Sequence, residues 1–298
     1  MKKLSNFSSG FIFLSIIMFS SCQKNGGYNN NNNTTPPPPT AKEISLQSNA
    51  TFGNYLVDKD GRSLYFFSVD ADGKNHCTGG CAAVWPSFNA ENLNADNLGA
   101  GLDPADFGHI TTPSGTNQIT YKGWPLYHYA PPSNGANVPE KPGQTLGDGF
   151  TGLWYIAKPD YSIMIAYEQL TGHDGKDYKS DYTLGEQAST YFTDGKGVTL
   201  YTFTKDSANN NKFTRPDFSN NNIWPIYETD QVIVPSTLDK SQFGSISVFG
   251  RKQLTYKNWP LYYFGQDAGT RGSNKGISFP SPGIFRVPTI NIQGAPTP

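Results

Sequence analysis

The chain has 298 residues, a formal net charge of -1 and only 16% charged side chains. That balance excludes recognition by bulk charge, so no nucleic-acid partner and no strong attraction to lipid headgroups is expected. With 31 glycines, 22 prolines, 17 tyrosines and 19 phenylalanines against 3 methionines, the composition favours turns and aromatic strands, and predicts an all-β fold with minor short helices.

Lys2, Lys3 and the apolar run from Phe11 to Phe19 predict an export signal over residues 1–21. Phe19-Ser20-Ser21 leads into Cys22. Small residues before a cysteine at the end of a short apolar run resemble a bacterial lipobox, in which that cysteine is lipidated and becomes the mature N-terminus. A plain secretory signal or an uncleaved anchor is the alternative, although the run is too short to span a bilayer comfortably. Residues 22–41, with Asn29 to Asn33 and Pro36 to Pro39, have almost nothing to bury and predict a disordered tether. No transmembrane helix is expected in the mature protein. The expected location is therefore the bacterial cell envelope, at the outer membrane or cell surface, with the membrane as partner through the lipid.

Beyond the tether the chain repeats itself. Leu64 and Leu200 stand 136 positions apart, as do Asp70 and Asp206, and Gln118-Ile119-Thr120-Tyr121-Lys122 returns as Gln253-Leu254-Thr255-Tyr256-Lys257. These offsets predict two tandem homologous β-rich repeat domains built from hairpins, at 42–160 and 161–290, followed by a tail at 291–298. Each is long enough to bury a core of its own. Four of the five tryptophans precede proline: Trp85, Trp124, Trp224 and Trp259.

A smaller pattern recurs within each half. Gly61, Gly123 and Gly197 lie three residues before a Leu-Tyr pair, and Asn258 holds that place the fourth time. Glycine and asparagine tolerate positive φ, so these are expected hairpin tips, with the Leu-Tyr-x-aromatic stretches as returning strands apolar on both faces. Pro125 and Pro260 belong at strand starts or on an edge. Only the segments after Leu102 and Leu238 read as short helices.

Tyr65-x-Phe67-x-x-Asp70, Tyr201-x-Phe203-x-x-Asp206 and Tyr262-x-Phe264-x-x-Asp267 resemble the signature of a bacterial family of secreted or lipoprotein repeats of unknown function. Tyr127-x-Tyr129-x-x-Pro132 keeps the aromatics and lacks the aspartate. The resemblance implies envelope location and tandem repeats, and supplies no reaction. The aspartates are expected to accept backbone hydrogen bonds at turns.

Cys77 and Cys81 are the sharpest chemical feature. In an oxidising envelope they predict a disulfide that closes a short loop, and Phe213 stands where the second half would carry the counterpart of Cys77. The alternatives are a metal site drawn from His76, Cys77, Cys81 and His128, or a cysteine redox relay. Asp58-Lys59-Asp60-Gly61 and Asp70-Ala71-Asp72-Gly73 look superficially like calcium loops, but the glycine is misplaced and hairpin turns are expected. No hydrolase or nucleotide motif occurs, so no catalytic residue and no cofactor is assigned. Trp85 and Trp224 close the loops that differ between the halves and are the candidates to face a ligand, although the alternation of apolar faces favours a core position for any one of these rings. The function expected is a non-catalytic binding or structural module with an envelope protein or glycan as partner. A redox, electron-transfer or metal-binding accessory role through Cys77 and Cys81 is the second reading, and carbohydrate binding through exposed aromatics the third.

Overall fold

The computed structural model describes residues 42–298. The expected signal over 1–21, the lipidation site Cys22 and the tether 22–41 lie outside the described residues. Strands dominate, all in antiparallel ladders, as the composition predicts.

The first half opens with the hairpin Ile44–Asn49 and Gly53–Asp58. A tight reversal follows, because the Asp58 carboxylate accepts from the amides of Asp60 at 2.9 Å and Arg62 at 2.8 Å, while Gly61 takes φ 78°. The chain then enters Tyr65–Phe67, buried at all three positions, which pairs with Trp154–Ile156 from the far end of the same half. Phe107–Thr111, Asn117–Tyr121 and Trp124–Pro125 form a three-stranded sheet in that order. Lys122 and Gly123, both at positive φ (49° and 80°), make the two-residue turn that such a hairpin requires. Pro125 sits on the edge strand, where its missing amide breaks no ladder.

The second half runs the same course. Met164–Thr171 pairs with Ala188–Thr193, and Thr202–Phe203 with Phe285–Arg286. Phe243–Val248, Arg251–Tyr256 and Trp259–Pro260 form the matching sheet, turning at Lys257 and Asn258 with φ 46° and 67°. Two strand features are unmatched: Asp177–Tyr178, added beside Met164–Thr171, and a small hairpin of Pro132–Ser133 with Ala136–Asn137. The segments after Leu102 and Leu238 are single 3-10 turns, Pro104–Asp106 and Lys240–Gln242, each capped by the preceding aspartate side chain. A short α-helix at Gly80–Val84, which carries Cys81 and runs on beyond it, had no signal in the sequence.

The described residues fall in one compact unit. A separate core for each half is not what forms: the larger core cluster joins Leu64, Phe66 and Trp124 to Leu200, Tyr201 and Trp224. A second cluster, confined to the first half, gathers Tyr65, Phe67, Cys77, Trp85, Tyr127 and Trp154. Arg271 ties the halves together at the turns. Its Nη1 donates to the Lys122 carbonyl at 2.8 Å and to the Lys196 carbonyl, and its guanidinium lies 4.6 Å over the Trp124 ring.

Candidate functional site

The motif tyrosines and aspartates meet each other. Tyr127 donates its hydroxyl to Asp70 at 2.5 Å, and Tyr262 donates to Asp206 at 2.7 Å. Tyr201 donates to Asp267 at 2.5 Å. Each aspartate also accepts a backbone amide at the turn beyond it, from His76, Lys212 and Lys275 respectively, as expected of a turn residue. Asp70, Asp206 and Asp267 are all buried. Burial pushes the carboxyls of Asp70 and Asp206 up to about 7 and that of Asp267 to about 6, against the opposing pull of these hydrogen bonds.

Tyr65 is the tyrosine whose partner aspartate is missing from the sequence. Its hydroxyl donates to Glu140 at 2.7 Å, and Glu140 accepts the amides of Leu146 and Gly147. The hairpin at 132–137 lengthens the chain where the second half runs directly to Asp267, and glutamate closes the pair from the far side. The leading tyrosine of each motif copy, Tyr65, Tyr127, Tyr201 and Tyr262, is thus bonded to a carboxylate from another segment.

Between the pairs lie stacked rings. In the first half Phe67, Trp154, Trp85 and Tyr129 stack in series, with centroids 4.0, 3.8 and 4.3 Å apart. In the second half Phe203, Phe285, Trp224 and Phe264 follow the same order at 4.5, 3.5 and 4.5 Å. Trp85 and Trp224, the candidates to face a ligand, are only 2% and 1% exposed, which is the core position that the alternation of apolar faces favours. Each is clamped between two rings, because offset-stacked aromatic faces hold one another out of water more favourably than they hold an exposed surface.

Cys77 and Cys81 are joined in a disulfide, with Cys77 buried beside Trp85 and Cys81 half-buried. Phe213 stands edge-on to Phe203 and Phe285 in the second half, 5.5 Å from each, where an aromatic ring replaces the staple. A cleft of about 270 Å³ flanks the disulfide and is lined by Asn75, Cys77, Thr78, Trp85 and Ser114 among others.

The metal reading through His76, Cys77, Cys81 and His128 does not assemble. The sulfurs are bonded to each other, His76 pairs with Asp72 at 3.0 Å, and His128 pairs with Asp58 at 2.9 Å. Among the described residues no group of three or more His, Cys, Asp or Glu is placed to hold a metal ion. Burial raises the Asp58 carboxyl, but hydrogen bonds from His128 and the Arg62 and Asp60 amides outweigh it and hold the group below the usual range.

Glu140, Glu168 and Arg271 escape the sequence reading. Glu168 accepts the Asp72 amide and the Tyr191 hydroxyl, both at 3.0 Å, and so bonds across the two halves; burial raises it to about 7. Glu140 could have been sought as a carboxylate shortly after the motif that lacks one. Nothing in local spacing marks the other two.

No helix among the described residues is long and apolar enough to cross a membrane. No curated protein and no solved structure matches the chain. Residues 48–88, which hold Tyr65, Phe67, Asp70, the disulfide and Trp85, match a lipoprotein family described as a secreted repeat of unknown function.

Proposed function

We propose that this chain is a lipid-anchored envelope protein of two secreted repeats, at 42–160 and 161–290, that acts by binding or structural interaction and not by catalysis. The observation that supports this most is the fate of the motif. Its tyrosines and carboxylates are spent on each other and on turn amides, deep in the fold, so the motif maintains architecture and leaves no free acid, base or nucleophile. The family match and the lipobox-like Cys22 support secretion and anchoring.

Membrane fractionation and thiol titration test the proposal together. The full chain should partition with membranes, Cys22→Ser should release it, and the native protein should show no free thiol after brief treatment with a mild dithiol. A disulfide that opens rapidly under those conditions would instead support the redox-accessory reading, for which the contact of Cys77 with the Trp85 ring stack is the favouring observation. Saturable binding on a glycan array would favour the carbohydrate reading.

A further inference from the structure

A buried lysine outside the motif sits in a cleft. Lys158 is 8% exposed, an unusual state for a lysine, which is almost never buried without a paired anion. Pro159 follows it, and a residue before proline is biased toward extended backbone. Its ammonium donates to the Val234 carbonyl at 3.2 Å and lies 5.9 Å over Phe52 and 5.5 Å over Tyr161. Among the described residues no carboxylate comes within 4.0 Å of it. An ammonium carries three donors, so two remain without a protein acceptor.

Lys158 lines a cleft of about 470 Å³ between the first-half hairpin, represented by Phe52, and the second-half segment that carries Val234 and Leu238. Lys240 and Asp160 line it too. Two lysines against one aspartate leave one positive charge on the lining, while Phe52, Val234 and Leu238 supply an apolar wall. Burial, with some repulsion from Lys240, lowers the Lys158 ammonium from its ordinary value; Asp148 opposes this but is engaged by the Ile156 amide and the Ser236 hydroxyl.

We infer that this cleft binds a small organic monocarboxylate. Its carboxylate accepts the two free donors of Lys158 with Lys240 at the rim, and its uncharged body rests on the Phe52 side. One net charge suits one carboxylate, and Asp160 disfavours a dianion such as a phosphate ester. Lys158 has no lysine counterpart in the second half: Phe285 takes the place of Trp154 in the ladder and the ring stack, which sets Thr289 at the position of Lys158, so the site belongs to the pair of halves and not to either copy. It does not depend on the anchor or on the disulfide.

The test titrates benzoate, glucuronate and inorganic phosphate into the full-length chain in detergent and follows the melting temperature and the Lys158 Nζ resonance. Benzoate or glucuronate should bind saturably at millimolar concentration, raise the melting temperature and shift that resonance, and phosphate should not. Lys158→Met should weaken carboxylate binding by about tenfold or more, since a charge-assisted bond is lost. Lys240→Met, at an exposed position, should weaken it by a smaller factor with the fold intact. Failure of both carboxylates to saturate, tighter binding of phosphate, or unchanged affinity in both variants would each overturn the assignment. A lower melting temperature in Lys158→Met, with no ligand effect on the wild type, would make Lys158 a clamp on the Val234 segment and nothing more.

Discussion

Tyr65 donates its hydroxyl to Glu140 at 2.7 Å, 75 positions along the chain, where Tyr201 in the second half donates to Asp267. One extra methylene in the acid accompanies the added hairpin at 132–137, and the bond survives. Tyr127→Phe and Tyr65→Phe should therefore cost similar amounts, about 1–3 kcal/mol each, because each takes the hydroxyl donor from a buried carboxyl and leaves it only backbone amides. Chemical denaturation of the two variants checks this. Glu140→Ala should be at least as destabilising as Tyr65→Phe, since it orphans the Leu146 and Gly147 amides as well.

The buried carboxyls set a pH dependence of definite sign. The folded-state values of Asp70, Asp206 and Glu168 are raised to about 7 from ordinary values of 3.8, 3.8 and 4.5. Between the ordinary and raised values the folded protein holds protons that the unfolded chain releases, so stability is fullest at the acidic end and is lost as pH rises through about 7. Each carboxyl should cost up to roughly 2 kcal/mol between about pH 5.5 and about pH 8. Asp58, held low, acts in the other direction, and only below about pH 4. Melting curves across that range should show the decline. Asp206→Asn, which imitates the protonated acid, should flatten it, and a decline left at full size in Asp206→Asn would show that this group does not contribute.

The disulfide should matter modestly. Cys77 and Cys81 are four positions apart, and closing so short a loop restrains little of the unfolded chain. Replacing both with alanine should cost about 2 kcal/mol in denaturant unfolding. The second half already does without a staple, its Phe213 ring filling the corresponding space.

Gly147 and Gly276 should resist substitution alike. A Cβ on Gly147 would fall 2.8 Å from the Trp85 ring, and one on Gly276 would fall 2.7 Å from the Trp224 ring. Both glycines also direct an amide toward a motif tyrosine hydroxyl, Tyr65 and Tyr201 respectively. Alanine at either position should destabilise by about 1–3 kcal/mol through overpacking, with a loss of near-ultraviolet circular dichroism as the ring stack shifts.

The all-β class, the hairpin tips at Gly61, Gly123, Gly197 and Asn258, the edge position of Pro125 and the disulfide were legible from the chain, since each rests on local stereochemistry or on a short spacing. The spacing of Tyr65, Phe67 and Asp70 marked a motif without saying what it was for. Its bonds run between segments such as Tyr127 and Asp70, 57 positions apart, and distance along the chain carries no information about such contacts. The same limit explains Trp85 and Trp224. A loop tryptophan reads as available to a ligand until Trp154 and Phe285 are brought over it from the ends of their halves. By itself the sequence determined the local turns, the alternation of buried rings and the repeat of the pattern. Only the tertiary structure decided which tyrosine meets which acid, that the two halves share a core, and that Lys158 is buried without a carboxylate partner, because these depend on burial and long-range pairing that exist only once the chain is closed on itself.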